Sequence, residues 1–96
     1  MLKSINPANL QLIKNYEEMK LSEVNNIIEL TNNAYLRWKE KSFMDRAELM
    51  WNASEVLKSK KDKFSELMTL EMGKPIAQSK AEVEKCAWIC EYYAEN

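Results

Sequence analysis

The sequence has no histidine and a single glycine, Gly73. Without an imidazole, Ser54, Ser59, Ser65, Cys86 and Cys90 have no histidine to take their proton, which excludes the Ser-His and Cys-His routes to an activated nucleophile. One glycine excludes both G-x-G-x-x-G and G-x-x-x-x-G-K-[ST], since each needs more than one glycine to bring backbone amides against phosphate. Long apolar runs are also missing. The longest, Cys86 to Cys90, falls far short of the about 20 residues that span a bilayer. The opening Met1-Leu2-Lys3-Ser4-Ile5-Asn6-Pro7 turns polar and meets a proline before a signal-peptide core could form, so a cytoplasmic location without membrane association is expected.

Charge of one sign is absent too. Lys+Arg 14 against Asp+Glu 15 gives a formal charge of -1, with the signs interspersed, so nucleic acid is not an expected partner. The lysine run Lys58-Ser59-Lys60-Lys61-Asp62-Lys63 has no interleaved aromatic and reads as a solvated face. Cys86 and Cys90 are the only cysteines. Four apart on a helix, they suit a disulfide poorly and supply too few ligands for zinc, so they read as two reduced core thiols. Glu82 and Glu84 lie two apart on the same helix and diverge, while Glu17-Glu18 falls at a strand end or loop, so no acid/base pair converges. Asn52-Ala53-Ser54 matches a glycosylation triplet but lies mid-helix. Trp38, Trp51 and Trp88, with six methionines, read as core or interface rather than a ligand lining. No catalytic, cofactor-binding or metal-ligating residue is assigned in this chain.

With 46% hydrophobic content over 96 residues, the chain can build at most one small core. The predicted architecture is mainly α: three amphipathic helices preceded by a short β-hairpin. Residues 1–20 read as the hairpin. Leu10, Leu12, Lys14 and Tyr16 alternate with Gln11, Ile13 and Asn15 after the turn Asn6-Pro7-Ala8-Asn9. A first helix is expected over 22–41, with Ser22 as N-cap, Glu23 in the first turn, and Val24, Ile27, Ile28, Thr31, Ala34, Tyr35 and Trp38 on one face. A second helical stretch, 43–72, opens on Ser42 with Asp45 three residues on, a weak capping box. It carries Ala47, Met50, Ala53, Leu57, Phe64, Leu67 and Met68 inward. The lysine run interrupts that face, so the helix either breaks there or lays lysine stems along the stripe. Gly73 then ends the helix at positive φ, Lys74 is expected to bond its last carbonyls, and Pro75 fits the first turn of a third helix over 75–96. The inward face of that helix reads as Val83, Cys86, Ala87, Cys90, Tyr93 and Ala94.

Several of these segments occur together in a known order. Ile5-Asn6-Pro7-Ala8, Ala34-Tyr35-Leu36-Arg37-Trp38, Arg46-Ala47, Thr69-Leu70-Glu71-Met72-Gly73-Lys74-Pro75 and Ala81-Glu82-Val83-Glu84-Lys85-Cys86-Ala87 resemble the N-terminal region of the NAD(P)-dependent aldehyde dehydrogenase superfamily, along nearly the whole chain. The continuation from Trp88 to Asn96 is most similar to the succinate-semialdehyde dehydrogenase branch. One departure is Asn9-Leu10, where the family commonly has a glycine-containing pair; asparagine reaches positive φ less freely than glycine.

The resemblance implies the N-terminal part of an aldehyde dehydrogenase α/β fold. In the parent enzyme, a cysteine thiolate attacks an aldehyde, hydride passes to NAD or NADP, and a glutamate-activated water releases the carboxylate. Those residues lie further along in the family, so this chain is expected to be a catalytically inert N-terminal fragment whose partners are the cofactor and catalytic domains. Self-association is also expected, led by the face carrying Tyr35, Trp38, Val83 and Cys90. The alternative is a free-standing helical protein-interaction module without enzymatic activity. A complete module would hide most of the three tryptophans, and a fragment would expose them.

Overall fold

A turn built on two asparagine side chains shapes the start of the chain. The Asn6 carboxamide accepts from the Ala8 amide at 2.9 Å and the Asn9 carboxamide from the Gln11 amide at 2.9 Å. The computed structural model describes residues 2–96; Met1, first residue of the predicted hairpin segment, lies outside the described residues. Strands β1 (Leu2–Ile5) and β2 (Leu12–Tyr16) flank the turn and pair antiparallel, Leu2 with Tyr16 and Ser4 with Lys14. The register shifts between Ser4 and Ile5. Ile13 is the extra residue of this bulge. Positive φ falls on Leu10, at 62°, rather than on Asn9.

Among the described residues four helices follow, not three: α1 (Leu21–Trp38), α2 (Phe43–Ser59), α3 (Lys61–Met72) and α4 (Ile76–Glu95). The expected second stretch is broken at Lys60, whose φ of -108° and ψ of 18° leave the helical region. Ser59 helps to loosen the ladder there, because its hydroxyl donates to the Val56 carbonyl at 3.0 Å, an acceptor shared with the Lys60 amide. The break has a packing reason. A straight helix from Phe43 to Met72 would run about 45 Å against about 30 Å for α4, and the bend lets both α2 and α3 lie along α4.

Helix ends follow local chemistry, with two shifts of position. The α1 N-cap is Lys20 rather than Ser22; the Glu23 carboxylate reaches back to the Lys20 amide at 3.0 Å and so recruits Leu21 into the helix. Ser42 caps α2 as expected, accepting from the Asp45 amide at 3.1 Å. Gly73 closes α3 at φ 71°, donating its amide to Thr69 at 2.9 Å. Pro75 is the N-cap of α4, one place before the first turn, and its carbonyl accepts from Ser79 at 3.0 Å.

The core is small in both senses. Among the described residues Val83 and Ala87 are its only buried apolar members, and the other buried side chains are Ser54, Ser65 and Ser79. Small groups at these positions let α2 and α3 approach α4 closely, each hydroxyl finding a partner so that burial leaves no lost hydrogen bond. Ser65 donates to the Lys61 carbonyl at 2.6 Å, and Ser79 and Thr69 share a hydrogen bond at 2.9 Å. The hairpin docks on the α3–α4 joint: Ser4 donates to Glu71 at 2.7 Å, and Pro7 covers the face of Gly73.

Candidate functional site

Several charged side chains tie the helices together. Glu91 accepts from Ser54 at 3.0 Å and pairs with Lys58. Its carboxyl is held below the ordinary range, first by the Lys58 hydrogen bond and then by that of Ser54. Lys58 is raised by the same bond to Glu91. One turn further along the pairing repeats, with Lys61 donating to Glu84 at 2.8 Å; this raises the lysine and lowers the carboxyl. Two members of the lysine run are thus fastened to α4, so it is not simply a solvated face. Glu82 takes Lys74, which therefore does not bond the last α3 carbonyls; the Gly73 amide serves Thr69 in its place. Glu82 and Glu84 diverge as expected, toward different lysines.

The thiols also correct the sequence reading. The buried line of α4 is Ser79, Val83 and Ala87, which turns Cys86 to solvent and leaves Cys90 half-buried; both are free. Tyr93, expected inward, is exposed as well, and so is Leu67 of the α3 face. Among the described residues no three side chains of metal-binding type come together. Ser59 and Ser65 donate to backbone carbonyls, and Asn52 sits within α2. Serine burial was the feature that sequence reasoning missed. The signal for it was positional: Ser54 falls between Met50 and Leu57 on the inward stripe of α2, and Ser79 lies one turn before Val83 on α4.

A cleft of about 520 Å³ opens between the start of α2 and the end of α4, with Phe43, Met44 and Met50 facing Tyr93 and Ala94. Its charged members are Arg46 and Glu95. Arg46 works as a joint: its guanidinium donates to the Trp38 and Lys39 carbonyls at 3.3 and 3.1 Å and lies over the Trp38 and Phe43 rings. A cation on the last carbonyls of α1 also suits the negative end of that helix.

What remains is apolar surface. Helix α1 buries none of its residues, and Trp38, Trp51 and Trp88 are 42%, 38% and 64% exposed. The radius of gyration is 17.3 Å, against about 12.5 Å for a compact domain of this length. Among the described residues, no helix is long and apolar enough to cross a membrane.

Comparison with known proteins gives that surface a setting. The model of the "Aldehyde dehydrogenase family" matches residues 1–96. A probable succinate-semialdehyde dehydrogenase [NADP(+)] of Synechocystis is 36% identical over 97% of this chain and 20% of its own length. The succinate-semialdehyde dehydrogenase [NADP(+)] of Deinococcus radiodurans is 33% identical over the same shares. Among solved structures, the succinic semialdehyde dehydrogenase of Streptococcus pyogenes in complex with NADP+ superposes with a TM-score of 0.89 at 26% identity, covering 97% of this chain and 21% of that one. The match falls on the N-terminal part of the aldehyde dehydrogenase fold. The chain spans about a fifth (20%) of the length of the curated relatives it matches.

Proposed function

The chain belongs to the aldehyde dehydrogenase family, and we propose that it serves as the hairpin-and-helix portion of an NADP-dependent succinate-semialdehyde dehydrogenase. The observation that carries this reading is the family match over residues 1–96, joined to relatives whose names share one aldehyde and include NADP as a cofactor, alone in two of them and as NAD(P) in a third. In this reading the whole enzyme oxidises the semialdehyde to a dicarboxylate while NADP accepts the hydride.

The residues present do not fit NADP. Gly73, the only glycine, is occupied as the α3 cap against Pro7, and the lysines nearest to a phosphate-binding cluster are paired with Glu91, Glu84 and Glu82. Cofactor and aldehyde are therefore assigned to other parts of the enzyme, and the 96-residue chain is inactive by itself. Its role is architectural: the exposed Trp51, Trp88 and Tyr93 meet the cofactor and catalytic domains, and burial there fixes the position of the hairpin and helices. A cytoplasmic location belongs to the same reading, supported by two free thiols.

An exchange experiment tests it. The corresponding segment of the Deinococcus radiodurans enzyme is replaced by this chain, and succinate-semialdehyde-dependent NADP reduction is measured. A folded chimera that turns over supports the assignment. A soluble, folded chimera without turnover counts against it.

A further inference from the structure

No further inference is drawn: the strongest candidate, the cleft between the start of α2 and the end of α4 lined by Phe43, Tyr93 and Arg46, whose Nε is buried without a partner among the described residues, carries nothing, because a buried nitrogen offers a ligand no point of contact and nothing in the structure shows what covers the apolar walls.

Discussion

Ser54 donates its hydroxyl to Glu91 across 3.0 Å from a position with no exposed surface, so a small polar group is buried where α2 meets α4. Replacing it separates size from hydrogen bonding. Ser54→Leu forces extra volume into the contact and is expected to lower unfolding free energy by roughly 1–3 kcal/mol. Ser54→Ala keeps the fit and is expected to change stability much less, while relaxing the Glu91 carboxyl toward its ordinary value. Chemical denaturation and carboxylate NMR titration of the two variants check both parts.

The paired ends of these ties set a pH window. Glu84 and Glu91 titrate below the ordinary carboxylate value of 4.5, so the folded chain binds fewer protons than the unfolded one and their contribution is lost as pH falls through the lowered values. Lys58 and Lys61 titrate above 10.5; their contribution is lost as pH rises through the raised values. Stability is therefore expected to be flat between these limits and to fall outside them. Thermal melts across pH check this, and combining Glu84→Gln with Glu91→Gln should flatten the acid limb.

Two residues with positive φ respond oppositely to substitution. Gly73→Ala introduces a Cβ at φ 71° with Pro7 Cγ only 3.2 Å away, and a loss of about 1–2 kcal/mol is expected. Leu10 already occupies φ 62° while 78% exposed, so Leu10→Gly relieves strain and should raise stability by up to about 1 kcal/mol. Paired thermal denaturation of the two variants measures the signs.

Arg46→Lys keeps the charge but loses the fork that reaches two carbonyls at the end of α1. Amide exchange in the last turn of α1 should quicken while the protected centre of α4 stays unchanged. Hydrogen exchange followed residue by residue distinguishes this local release from global loosening.

Where a single residue type decides local geometry, the sequence was readable. Gly73, Ser42 and the Asn6-to-Asn9 turn stand where their backbone chemistry placed them, and the resemblance to the family held along the chain. What could not be read depends on tertiary packing. The break at Lys60 comes from fitting two helices onto one, and the sequence alone left snorkelling lysines equally open. Cys86 was placed inward because cysteine is usually buried, but close helix contact chose Ser79, Val83 and Ala87 for the buried line. The sequence gives Ser54, Ser65 and Ser79 no place in the predicted core, yet all three are buried, because helices packed together need small side chains whose hydroxyls find partners. Lys74 went to Glu82, a choice set by the angle between α3 and α4.

In the proposed role these residues supply packing surface to an aldehyde dehydrogenase whose chemistry is carried by its other parts. The most direct test of that role is the steady-state rate of NADP reduction with succinate semialdehyde, measured for the purified chain alone after its helical fold has been verified by circular dichroism. No reduction above the enzyme-free rate is predicted. Saturable, aldehyde-dependent turnover by the 96-residue chain would contradict the account.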